Sequence, residues 1–118
     1  MKDNFVFLLH IRDAIETIET YTMRMSHDDF LKAKLVQDGV IRQIEIIGEA
    51  TKNLSTEFKE KYPDIPWKRI AGMRDKLIHQ YFGVNIKKVW QTVKKDIPSL
   101  KEKIRLILND AHNQKRVC

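Results

Sequence analysis

Residues 74–81 read Arg-Asp-Lys-Leu-Ile-His-Gln-Tyr. A fixed cation (Arg74), an imidazole (His79) with a carboxylate four positions before it (Asp75), and a phenol (Tyr81) thus lie within one short segment. RNA cleavage without a metal asks for groups of these kinds. An imidazole can take the proton of a 2′-hydroxyl or give one to the leaving oxygen. A guanidinium can place two hydrogen bonds on the phosphate as charge builds there. The substrate's own 2′-hydroxyl is the nucleophile, so the protein need supply none.

If the segment is helical, Asp75 and His79 share a face, where the carboxylate can fix the imidazole tautomer and keep it titrating near neutrality. Arg74 falls at the margin of an apolar stripe formed by Ile70, Met73 and Leu77. A guanidinium there must meet an anion or a groove, because arginine is almost never buried without a partner. Arg74 and His79, five apart, would leave a regular helix about 140° from each other. Two copies packed about a two-fold axis through this helix would bring both groups into one cleft, which predicts a homodimer. Each residue also has an ordinary reading: Arg74 as an edge residue with its stem on apolar surface, Asp75–His79 as a surface pair, Tyr81 as a core aromatic with a wet tip.

No other constellation competes. The four histidines (10, 27, 79, 112) show no paired spacing for a metal, and His27-Asp28-Asp29 reads better as a helix start than as a cation site. Asp64 with Glu57-Phe58-Lys59 has the wrong order for a metal nuclease, and the four glycines form no phosphate-cradling loop. Neither a metal nor a cofactor is expected. With 22 Lys+Arg against 16 Asp+Glu, a net charge of +6 permits an anionic partner without demanding one. The charges are interspersed rather than gathered on one stripe, and no recognition-helix signature is present, which argues against a DNA binder.

The elements that must position these groups are helical. Only four Gly and three Pro occur in 118 residues, and nothing alternates like a strand. The length suits a single domain, residues 1–118. The longest apolar run, Phe5 to Leu9, is too short for a membrane span, and the one cysteine, Cys118, excludes an intrachain disulfide, so a cytoplasmic protein is expected. The first helix should cover about 4–25, with Leu8, Ile11, Ile15, Ile18 and Met25 in its seam, broken only by Thr22. A second follows Ser26, with Val36, Val40, Ile44, Ile47 and Leu54 in its main stripe and Leu31, Leu35, Ile41, Ile46 and Ala50 widening it. So broad a stripe implies cover on more than one side. Gly39 and Gly48 should lie on opposite faces of it. A third helix should begin near Asp64 or Pro66 and end by Gly83. A fourth begins at Asn85 and keeps its apolar phase through Pro98, with a kink or short break at 96–98. With a short turn of helix at 55–61 and a fraying tail from 112, the prediction is an all-α, up-and-down bundle of four long helices plus a short one.

At Arg74, His79 and Tyr81 the sequence closely resembles the HepT-like ribonucleases, toxin components of the HEPN superfamily paired with minimal nucleotidyltransferase (MNT) antitoxins. Arg-x4-His-x-Tyr is reproduced, with Asp75 at the polar position after the arginine. Residues 44–55, 65–75 and 79–101 look like the family's other recurrent blocks, so the resemblance covers almost the whole chain. It implies a HEPN-like, dimeric, metal-independent endoribonuclease in a type VII-like toxin–antitoxin system. Arg74 and His79 would be the catalytic pair and Asp75 a supporting residue. Tyr81 matches the tyrosine that a cognate nucleotidyltransferase modifies with AMP, and the two proteins would associate, as a pair or in a higher assembly. A second function, a non-catalytic helical module that docks the nucleotidyltransferase and presents nucleotide or substrate, fits the same resemblance.

Overall fold

A computed structural model describes residues 3–79 and 83–117, without the side chains of 78, 79 and 111–117. The described chain is helical apart from one short strand pair. Helix α1 (Asn4–Thr22) starts where the Asp3 carboxylate accepts from the Phe5 amide. It ends three residues before the expected point. Thr22, the polar break in the seam, is buried and its hydroxyl donates to the Ile18 carbonyl at 2.8 Å, so it fits the core by bonding its own helix. Arg24 then adopts φ 65°, a left-handed conformation that no helix continues through.

Ser26 starts α2 (His27–Lys32) with a reciprocal cap: its hydroxyl accepts from the Asp29 amide and its own amide donates to the Asp29 carboxylate, both at 3.1 Å. The backbone bond from Ser26, followed by the hydroxyl, holds the Asp29 carboxyl below the usual carboxylate range. That contribution to stability is present above the ordinary carboxylate pKa and is lost as pH falls through the lowered one. His27 lies parallel to the Trp90 ring at 5.9 Å, in keeping with the helix-start reading of this segment.

The single helix expected after Ser26 is broken at Ala33, and α3 (Lys34–Asn53) begins beyond it. Gln37 accounts for the break. Its buried side-chain amide donates to the carbonyls of Phe30 (2.8 Å) and Leu31 (3.2 Å), pairing groups that a continuing helix would have paired itself. Helix α3 is the centre of the molecule, touching α1 and α2 as well as the three helices that follow the next short one. Val40, Ile44 and Ile47 are fully buried, whereas Leu35 at the margin of the stripe is 88% exposed. The two glycines serve separate close approaches: a Cβ on Gly39 would meet the Tyr21 ring of α1, and one on Gly48 would lie 3.0 Å from the Ala71 carbonyl oxygen.

Helix α4 (Thr56–Lys61), capped by the Ser55 hydroxyl, occupies the expected short turn. Its Lys59 carbonyl and that of Tyr62 just beyond it both accept from the indole N–H of Trp67, at 3.1 Å each. The third long helix is not formed as expected. It is divided at Gly72 into α5 (Trp67–Ala71) and α6 (Met73–Leu77), and then gives way to β1 (Ile78–His79), antiparallel to β2 (Gly83–Val84). Ile70, Met73 and Leu77 nevertheless form the predicted buried stripe.

Asn85 caps α7 (Ile86–Gln91), as expected, by accepting from the Lys88 amide. A π-helical turn, Thr92–Asp96, joins α7 to α8 (Ile97–Val117) with helical backbone at both junctions. The predicted break is therefore a widened turn ahead of Pro98, which leaves room where the proline has no N–H to give. Val93, Ile97, Leu100, Ile104 and Ile107 are all buried. Helix α8 is described as far as Val117. No helix among the described residues is long and apolar enough to cross a membrane.

Two substitutions test this framework. Gln37→Leu should remove the side-chain bond to the Leu31 carbonyl and leave the Phe30 carbonyl with the Ala33 amide alone, and cost about 2 kcal/mol in denaturant unfolding. Gly48→Val should force α5 away from α3 and cost about 2 kcal/mol by overpacking. A midpoint equal to that of the wild type in either case would show that the contact is not constraining.

Candidate active site

The residues singled out for chemistry sit where α6 turns into the β hairpin. Arg74 and Asp75 belong to α6, and His79 is the second residue of β1, its backbone paired with Gly83. Because the helix ends at Leu77, Asp75 and His79 are not i,i+4 neighbours on one helical face, and the 140° separation expected for Arg74 and His79 on a regular helix does not apply. The His79 side chain and the whole of Tyr81 lie outside the described residues, so neither is placed relative to Arg74.

The hairpin is anchored at its base. The Asn85 amide donates to the Leu77 carbonyl at 2.9 Å while its side chain caps α7, so one residue both closes the hairpin and starts the next helix. The Asp75 amide donates to the Gly72 carbonyl (3.1 Å), which tightens the start of α6. Gly83, at φ 76°, supplies a left-handed backbone that a side chain would strain.

Arg74 finds the anion that its place on the helix demanded. Its Nε lies 3.4 Å from Glu45 Oε1 on α3, and a guanidinium nitrogen lies 3.9 Å from Asp75. Glu45 also reaches Arg42, at 3.7 Å, so one carboxylate stands between two guanidiniums. The Arg74 side chain is 46% exposed and Asp75 75% exposed. Arg74 is thus tethered at one edge and open to solvent over the rest, able to exchange a long contact with a carboxylate for a close one with an incoming oxyanion. Asp75 is free to turn outward. Among the described residues no group of three His, Cys, Asp or Glu could hold a metal ion.

Glu45 is the residue that the sequence did not single out. It is flanked by Ile44, Ile46 and Ile47, and the only local signal is a carboxylate three residues after Arg42 on a largely apolar helix. Its partner is 29 positions away and becomes visible only once α3 and α6 are packed together.

Comparison with known proteins shows the family to which the chain belongs. The model of the family HepT-like, described as Ribonuclease HepT-like, matches residues 11–107. A protein of Methanocaldococcus jannaschii whose name joins gamma-glutamylcyclotransferase with RNase is 54% identical over 114 residues, 97% of this chain and 51% of that protein. The chain therefore spans about half of that relative's length. A protein of Thermococcus cleftensis named "Probable ribonuclease HepT" is 55% identical over 97 residues, covering 82% of this chain and 88% of that one. A protein of Caldanaerobacter subterraneus subsp. tengcongensis, named as an RNase, is 46% identical over 108 residues, with 92% and 96% covered. No solved structure matches the chain significantly.

Exposed ion pairs of this kind contribute about 0–1 kcal/mol. Glu45→Gln should accordingly move the denaturant midpoint by no more than about that amount, and a larger loss would mean that the pair holds the fold rather than the side chain.

Proposed function

We propose, since the chain belongs to the HepT-like ribonuclease family, that it is a metal-independent endoribonuclease whose catalytic pair is Arg74 and His79. One observation carries the reading. The arginine of the Arg-x4-His-x-Tyr pattern stands at the surface, half-exposed, on a helix that runs directly into the hairpin bearing His79, and its ion pairs to Glu45 and Asp75 are both long. Such a side chain can receive a phosphate without leaving its place.

In the proposed reaction His79 removes the 2′-hydroxyl proton, and the 2′-oxygen bonds to the adjacent phosphorus. The P–O5′ bond breaks, leaving a 2′,3′-cyclic phosphate and a 5′-hydroxyl that takes a proton from a second imidazole. Arg74 binds the phosphate oxygens as negative charge builds on them. Asp75 supports the site electrostatically beside Arg74. A homodimer, HEPN-like in arrangement, supplies the second imidazole. It also gives cover to the part of the α3 stripe that this chain leaves open, where Leu35 is 88% exposed.

The enzyme acts as the toxin of a HEPN/MNT pair and is silenced by a minimal nucleotidyltransferase, by association or by transfer of AMP to Tyr81. AMP would bring a phosphate and a bulky group two residues beyond His79, offering Arg74 a competing partner.

The decisive assay is cleavage of RNA in EDTA by the wild type beside Arg74→Ala and His79→Ala. Cleavage should fall by about 100-fold or more in each variant, and intact RNA with the wild type, or equal cutting by both variants, overturns the assignment in favour of a docking module. Arg74→Lys should lose most activity although charge is kept, because an ammonium lacks the planar two-pronged grip. The rate should fall on both sides of the working range of an imidazole, whereas a flat profile from pH 5 to 9 would exclude His79 as acid or base. Intact mass after co-expression with the nucleotidyltransferase reports whether Tyr81 carries AMP.

A further inference from the structure

A second basic feature lies on the other flank of α6. Two adjoining cavities, of about 130 and 330 Å3, run between α5–α6 and the continuous helical rod α7–π turn–α8, sharing Arg69, Met73 and Asp96 in their walls. Their rims carry Arg69 and Lys76 on one side and Lys88, Lys95 and Lys103 on the other, against the single acid Asp96. Arg69 and Asp96 pair at 3.0 Å across the groove. Among the described residues, none of the four lysines has a carboxylate partner. Along the rod the cations stand seven and eight residues apart, so they span about 22 Å at 1.5 Å per residue. At one end the groove is bounded by Lys76 and Leu77 before the β hairpin and by Lys88 after it. The hairpin with His79 therefore rises from the end of the groove.

We infer that this groove is a track for the sugar–phosphate backbone of RNA, leading the strand to the hairpin. Lysine is depleted from protein–protein contact surfaces, whereas rows of unpaired lysines are what phosphate neutralisation uses. No aromatic side chain lines either cavity, so bases have no platform on which to stack. Binding along the track is thus electrostatic and indifferent to sequence, and any choice of cleavage position is made at the hairpin. The inference rests on the ribonuclease reading above and names how that site gathers its substrate.

The test is binding of a 2′-O-methylated oligoribonucleotide, which cannot be cleaved, to the full chain at salt concentrations from 50 to 300 mM. The variant Lys88→Gln/Lys95→Gln is compared with Lys32→Gln/Lys61→Gln, which removes the same charge from outside the groove. Each lost phosphate contact should lower the slope of log K against log salt by about 0.7, hence by about 1.4 for the groove variant, and the control should keep the wild-type slope. Equal slopes in the two double variants overturn the track while leaving the ribonuclease reading intact. A wild type that neither binds this oligomer nor cuts RNA overturns that reading first. Retained RNA binding with lost binding of the nucleotidyltransferase would assign the groove to a protein and also overturn the track.

Discussion

The site depends on how closely α5 can lie against α3. At Gly48 the two backbones approach until a single added carbon would stand 3.0 Å from the Ala71 carbonyl oxygen. That approach fixes α5, and through the one-residue joint at Gly72 it fixes α6, whose buried Met73 and Leu77 seat it on the core. Only then does Arg74 come within reach of Glu45. A small residue at one position on the central helix thus sets the place of a guanidinium 26 residues further along the chain. Interiors packed to crystalline density transmit such displacements instead of absorbing them.

What could be read from the residues beforehand was periodicity and capping. The apolar seams of α1, α3 and α8, the Ser26 and Asn85 starts, the short α4 and the opposed glycines all follow from spacing, since each is a local rule of helix geometry. Interruptions were harder, because the group responsible usually came from elsewhere in the sequence. Nothing around Ala33 announces a break; Gln37, reaching back to two carbonyls, makes it. Gly72 was visible as a glycine, but a glycine inside an apolar pattern is also tolerated in a continuous helix. The π turn leaves a trace in the sequence: Val89, Val93 and Ile97 are spaced four and four, a drift of about 80° on a strict α-helix, which a wider turn cancels.

At the site, residue types were legible and their arrangement was not. That Arg74 needs an anion followed from its place beside an apolar stripe, but the identity of that anion, Glu45, required the packing of two helices. The assumption of one helix through residue 81 also failed, since the chain turns into the hairpin after Leu77. The backbone of His79 is paired with Gly83 beyond the end of α6, not one turn further along the same helix. In the proposed reaction Glu45 is a placeholder: its contact at 3.4 Å is long for a charge-assisted bond, and a phosphate offering two acceptors at shorter range is the stronger partner.

The hydrogen bonds between Asn4 and Ser55, one in each direction at 3.1 and 2.9 Å, join positions 51 residues apart and close α1, α2 and α3 into a single loop. Two helices of 19 and 20 residues lie within that loop, while α4 to α7 outside it have only five or six residues each, too few to persist alone. Amide protons should therefore be protected more strongly in α1 and α3 than from α4 to α7, and the stretch bearing Arg74 and His79 should open at lower free energy while the remainder stays folded. Whatever clasps that stretch, substrate or antagonist, gains its grip partly by suppressing this breathing.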